Sequence, residues 1–109
     1  MSEKLIKIYK ALFREYGYQG WWPVTGVADK TSDDPLKQRG YHQGDYDIPL
    51  NRSQTFEICL GAVLTQNTSW KNAESAVSNL REKGLLSPER ILRCRKETLS
   101  EAIRPARYY

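Results

Sequence analysis

The chain has 109 residues, with 17 Lys and Arg against 13 Asp and Glu, two Cys, one His and 39% apolar residues. That length suits one small domain and excludes a two-domain enzyme with a separate cofactor lobe. Cys59 and Cys94 are too few for a disulfide framework or for an iron–sulfur or four-thiolate metal site, and isolated thiols suit a reducing, cytoplasmic compartment. No run of about 18 apolar residues occurs, so neither a membrane span nor a secretory signal is expected. The net charge of +4 is uneven: residues 1–20 carry +2, residues 21–52 carry −1 and residues 53–109 carry +3. Solvated helix faces and a phosphate footprint account for it equally well.

The spacing predicts a first helix over Glu3–Tyr16. Ser2 can cap it, and Leu5, Ile8, Tyr9, Leu12, Phe13 and Tyr16 form one apolar stripe with Gly17 as a left-handed stop. Residues 18–52 open with Gly20-Trp21-Trp22-Pro23 and then show no sustained period. Dense in Gly, Pro, Asp, Lys and Gln, they read as a long ordered loop, with Tyr41, Tyr46, Ile48 and Leu50 able to pin its second half.

Ser53 opens a second helix in which Phe56, Ile58, Cys59, Leu60, Ala62, Val63 and Leu64 leave only Glu57 charged. Apolar residues on every side predict a central helix covered all round. Gly61 costs about 1 kcal/mol there against alanine, most simply offset by close approach of a neighbouring helix. The polar turn Thr65-Gln66-Asn67-Thr68 interrupts the run. A third helix follows with Trp70, Ala73, Val77 and Leu80 inward and Gly84 as its stop. Ser87-Pro88-Glu89 starts a short fourth helix, and Leu99, Ala102 and Ile103 mark a fifth, ended by Pro105. The expected class is all-α, a partial bundle of about five helices, with residues 53–109 as its helical core portion.

A buried helix that ends in four polar residues and restarts at once presents a polar knuckle on a rigid base. Gln66 has two donors and two acceptor lone pairs, enough to satisfy the edge of a base whose partner has left. Spacing alone equally allows Gln66 and Asn67 to bond free carbonyls at a helix end. Trp21 and Trp22 offer electron-rich faces to a cationic ring, or simple packing after a helix stop. His42 lies near Asp45 and Asp47, but nothing else converges there, and no metal or cofactor is expected within the chain. Cys59, inside the apolar helix, reads as an inert buried thiol.

Residues 56–72 resemble the signature of the helix–hairpin–helix DNA glycosylases related to endonuclease III. Gly20-Trp21-Trp22-Pro23, Tyr41-His42-Gln43-Gly44-Asp45-Tyr46, Gly84-Leu85-Leu86-Ser87-Pro88-Glu89 and Ile103-Arg104-Pro105-Ala106 resemble the same group in the same order. The subgroup includes 3-methyladenine glycosylases that lack an iron–sulfur cluster. The resemblance implies base excision repair on double-stranded DNA with a damaged, alkylated base, which must be extruded before its glycosidic bond can be reached. It implies that the residue at Gln66 fills the gap left by the flipped base, with Asn67 and Thr68 near the DNA backbone. It implies that Trp21, Trp22 and Phe56 line the base pocket.

The same resemblance places the Gly-rich hairpin, the catalytic aspartate and the lysine of bifunctional members after Tyr108-Tyr109. Glycosidic cleavage builds positive charge on the sugar that a placed carboxylate must stabilise, and a lyase step needs an amine of lowered pKa. Glu57, Glu74, Asp45 and Asp47 offer no convincing substitute, so no catalytic residue is expected in this chain. Arg107 stands where relatives favour a glycine-like residue. The expectation is an N-terminal portion, inactive alone, that is poorly stable, self-associates or needs a missing C-terminal half. The alternative is a non-catalytic helical module for DNA binding or protein interaction.

Overall fold

Six α-helices and three short 3-10 turns account for the regular structure, and no strand occurs among the described residues. The computed structural model describes residues 2–19 and 22–107, so Gly20, Trp21 and the closing Tyr108-Tyr109 lie outside the described residues. The class is all-α, as expected. Among the described residues no helix is long and apolar enough to cross a membrane. The chain divides into two compact units, Met1–Ile48 and Pro49–Tyr109.

In the first unit, α1 spans Glu3–Tyr16 with the expected ends. The Ser2 hydroxyl oxygen accepts the Leu5 amide at 3.2 Å, and Gly17, at φ 67°, donates its amide to the Phe13 carbonyl at 2.7 Å. None of its residues is buried. The stripe from Leu5 to Tyr16 is exposed, with Tyr9 and Tyr16 each at 66%.

The long loop is knitted by its own backbone. Asp34 caps Leu36 at 2.9 Å and Pro35 takes the first position of α2, Pro35–Gln38, a single turn too short to announce itself by periodicity. Val24 donates to the Gly40 carbonyl at 2.9 Å, and Asp29 to the Lys37 carbonyl at 2.9 Å. The Thr31 hydroxyl and then its amide hold the exposed Asp29 carboxyl below the usual carboxylate range. Val24 is fully buried, while Tyr46 and Leu50 are 67% and 68% exposed, Tyr46 with its ring centroid 5.9 Å from that of Tyr18. Gly40, at φ 92°, is buried where a Cβ would collide with the Val24 carbonyl.

The second unit holds α3 (Arg52–Leu64), α4 (Trp70–Glu82), α5 (Pro88–Arg93) and α6 (Lys96–Ala102). The start of α3 falls one residue earlier than Ser53 suggests. Asn51 caps the Gln54 amide at 3.0 Å while the Gln54 side-chain oxygen accepts from Leu50 at 2.6 Å, a reciprocal arrangement close to a capping box.

The expectation that α3 is covered all round is corrected. Its buried residues are Glu57, Gly61 and Leu64, at spacings of four and three, while Val63 and Cys59 are exposed. A helix packed on one neighbour, here α4, buries one stripe whatever its other faces carry. Gly61 does mark the close approach: a Cβ there would stand 3.3 Å from the Trp70 ring on α4.

The core gathers Leu64, Ala73, Ala76, Val77, Leu80, Leu85, Ala102 and Ala106. Gly84, at φ 69°, ends α4, with Leu85 donating back to the Leu80 carbonyl at 2.8 Å. The Asn79 side-chain amide donates to the Ala102 carbonyl at 3.1 Å, fixing α6 to α4. Ser87 caps α5 and donates to the Glu89 carboxylate at 2.8 Å. The Glu89 backbone amide first, then that hydroxyl and Arg52, hold this exposed carboxyl below its usual range.

Arg107 follows the 3-10 turn at Arg104–Ala106 with φ 63°, the left-handed conformation that a glycine-like residue takes without strain. Arg107→Gly is expected to raise the stability of the second unit by about 1 kcal/mol, read as a higher urea midpoint at unchanged slope. Gly40→Ala is expected to open the first unit by about 2 kcal/mol or more. Amide exchange at Val24 should accelerate while exchange at Leu85 stays as it was.

Candidate functional site

Leu64 ends α3 inside the core, and the chain passes at once into a 3-10 turn over Thr65–Asn67 before α4 begins at Trp70. The Thr65 amide bonds back to the Gly61 and Val63 carbonyls, closing the end of α3. On the other side, the Ser69 hydroxyl oxygen accepts the Asn72 amide at 3.4 Å, and the Asn72 side chain donates to the Thr68 hydroxyl oxygen at 2.8 Å. Both flanks of the turn are thereby fixed to helices whose inner residues share one core.

At the crest, Gln66 and Asn67 are exposed, and among the described residues neither side chain has a hydrogen-bond partner. The Thr65 amide meets the Gly61 and Val63 carbonyls at the end of α3, and neither the Gln66 nor the Asn67 side chain bonds a carbonyl among the described residues. Thr68 is half-buried; its oxygen is used by Asn72, which leaves its hydroxyl hydrogen to donate outward. The exposed crest therefore offers two primary amides and a hydroxyl hydrogen, with no charged side chain between Thr65 and Trp70.

Phe56 is half-buried on α3, in the second unit with Gln66. Trp22 is half-buried in the first unit, beside the buried Pro23 and Val24; Trp21 lies outside the described residues. One residue that spacing did not assign is tied to Trp22. The His42 ring places Nε2 2.7 Å from the Trp22 carbonyl oxygen and Nδ1 3.1 Å from that of Asp45. A contact between residues twenty apart in a loop leaves no periodic signal.

Among the described residues no three His, Cys, Asp or Glu side chains gather to hold a metal ion. Cys59, expected inside the apolar helix, is exposed because that side of α3 is not covered. Glu57 faces inward instead, 7% exposed, on the same stripe as Gly61 and Leu64. The first unit also holds an open cleft of about 240 Å³ bordered by Tyr18, Asp34, Lys37, Tyr41 and Gln43, which takes in neither Trp22 nor Phe56.

Residues 60–109 match the HhH-GPD superfamily of base excision DNA repair proteins, a span that includes the whole Thr65–Thr68 knuckle. Over 107 residues the chain is 36% identical to a Methanocaldococcus jannaschii protein that carries the provisional name of a DNA repair glycosylase. Both findings support a place for the chain in the HhH-GPD superfamily. That alignment takes in 98% of this chain and 36% of the relative, so the chain spans about a third of the length of the relative it matches. No solved structure is matched.

A crest without internal partners and a tether with one should respond differently to truncation. Gln66→Ala is expected to leave thermal stability within about 0.5 kcal/mol of the parent. Asn79→Ala, which leaves the Ala102 carbonyl without its donor, is expected to cost about 1 kcal/mol or more. Parallel melts of the two variants check the pair.

Proposed function

We propose that this chain carries the lesion-recognition part of a base-excision-repair DNA glycosylase. Gln66 enters double-stranded DNA at the damaged base, and Asn67 and Thr68 lie beside the backbone. Trp21, Trp22 and Phe56 supply aromatic contacts to the extruded, alkylated base. The observation that carries this reading is the exposed Gln66 amide, held on a turn fixed at both ends and bonded to no described residue of its own chain.

Extrusion of a base leaves a gap in the stack and a partner base with an unpaired polar edge. Leaving such an edge dry and unbonded costs about 1–3 kcal/mol. A glutamine side chain can meet either donor–acceptor order on that edge, so it suits a wedge that must tolerate different partner bases. An alkylated purine carries positive charge, which stacks favourably on tryptophan and phenylalanine faces. Residues 53–109, with a net charge of +3, supply the sequence-independent attraction to phosphate.

No carboxylate in the chain is assigned to excision. The Asp29 and Glu89 carboxyls, held below their usual range, are fully exposed, and Glu57 is buried within the packed stripe of α3. In this reading residues 1–109 alone bind lesion DNA and do not release the base. The exposed apolar stripe of α1 favours a second reading, a helical interaction module with no action on DNA.

Fluorescence anisotropy with a duplex bearing a stable abasic analogue, against its undamaged twin, separates the readings. The expected result is a preference for the lesion duplex that falls about tenfold in Gln66→Ala, the loss of one wedge contact. Equal binding of both duplexes, or none together with concentration-dependent self-association, supports the interaction module instead.

A further inference from the structure

α1 forms its helix without burying a single residue, so its apolar stripe is surface that the first unit leaves bare. At about 100° per residue, Leu5, Tyr9, Leu12 and Tyr16 fall along one line at spacings of four, three and four, the pattern of a coiled-coil seam. Ile6 and Phe13 border the seam on one side and Ile8 on the other. These side chains are between 38% and 66% exposed, and the Tyr18 ring prolongs the patch by meeting Phe13 edge-on at 4.9 Å. Their combined apolar surface, roughly 600 Å², equals the largest patch found on ordinary monomers. Two such patches set face to face would remove roughly 1,200 Å² from water, enough for a specific interface.

Charge and shape select a second copy as the surface that fits. Lys7, Lys10 and Arg14 lie on the far side of the helix, so a neighbour on the seam does not meet them. On the edge beside Ile8 stand Lys4 and Glu15, at opposite ends of α1, exposed and without a partner among the described residues. In an antiparallel pair of identical helices related by a two-fold axis, that edge meets its own copy end to end. Lys4 of each copy then faces Glu15 of the other. Along the seam each tyrosine lies opposite a leucine, Tyr9 against Leu12 and Tyr16 against Leu5, so bulky rings meet smaller side chains in every layer. Parallel pairing would instead set tyrosine on tyrosine, Lys4 on Lys4 and Glu15 on Glu15.

We propose that the α1 stripe is the interface of a homodimer, in which two copies of α1 pack antiparallel about a two-fold axis passing between Lys10 and Ala11. The apolar seam supplies the affinity. The two rim ion pairs add little to it and fix the orientation. The interface uses no residue assigned to DNA, so it stands or falls apart from the DNA reading.

Sedimentation equilibrium of the tag-free chain without DNA, from about 1 μM to about 1 mM, is expected to show a reversible monomer–dimer equilibrium. Leu12→Glu places a carboxylate from each copy on the dry seam and is expected to leave a monomer throughout. Because α1 buries nothing within its own chain, that variant should keep the parent's amide protection at Val24.

Orientation is read by exchanging charges. Lys4→Glu and Glu15→Lys each set like charges across the antiparallel rim, and each is expected to weaken the dimer about tenfold at low salt. Both substitutions suit the helix dipole, so neither should unfold α1. The double variant Lys4→Glu/Glu15→Lys is expected to recover the parent's affinity, because every rim pair is again opposite in charge. Single variants that dimerise as well as the parent, or a double variant no better than either, overturn the antiparallel pairing. A chain that stays monomeric at every concentration, or a dimer untouched by Leu12→Glu, overturns the interface and leaves the stripe to a partner of different sequence.

Discussion

Contact between Gly61 on α3 and the Trp70 ring on α4 is the constraint on which the second unit depends. Missing side-chain bulk at Gly61 lets the indole lie against the α3 backbone, which brings the two helices together about one helical turn from the connection joining them. That closeness makes the Thr65–Ser69 connection short and rigid, because Leu64 on one side and Ala73 on the other already belong to one core. A glycine inside a helix costs about 1 kcal/mol in isolation. Here the cost is offset by partial burial of the Trp70 ring against the core, and its structural product is an exposed Gln66 on a fixed crest.

Elements defined by local chemistry were legible from the residues alone. The Ser2 cap and Gly17 stop of α1, the Gly84 stop of α4, and the Ser87-Pro88-Glu89 start of α5 all stand where side-chain capping and left-handed stops put them. What could not be read is what depends on neighbours. The hydrophobicity of α3 says how much it could bury, not how many helices cover it, so Cys59 and Val63 face outward while Glu57 faces in. At one turn, α2 is too short for any period to register.

The candidate site divides in the same way. Gln66 and Asn67 stood out as a polar break in an apolar run, and the matched family span runs through them. That their amides are unspent within the described chain required coordinates. In the sequence His42 stands near Asp45 and Asp47, residue types from which a metal site can be built. Its actual partners are backbone carbonyls, one of them twenty residues away, which no side-chain pattern encodes. Arg107 was anticipated as an odd occupant of a glycine-like position, and its φ of 63° gives the physical reason.

The central claim is that Gln66 occupies the space vacated by an extruded base. Its most direct test places 2-aminopurine, whose fluorescence rises when it unstacks, in a duplex directly opposite an abasic analogue. Titration with the parent chain is predicted to change that fluorescence saturably, and Gln66→Ala, bound to the same extent at higher concentration, is predicted to leave it near the free-duplex value. An equal change with both proteins at matched saturation would contradict the account.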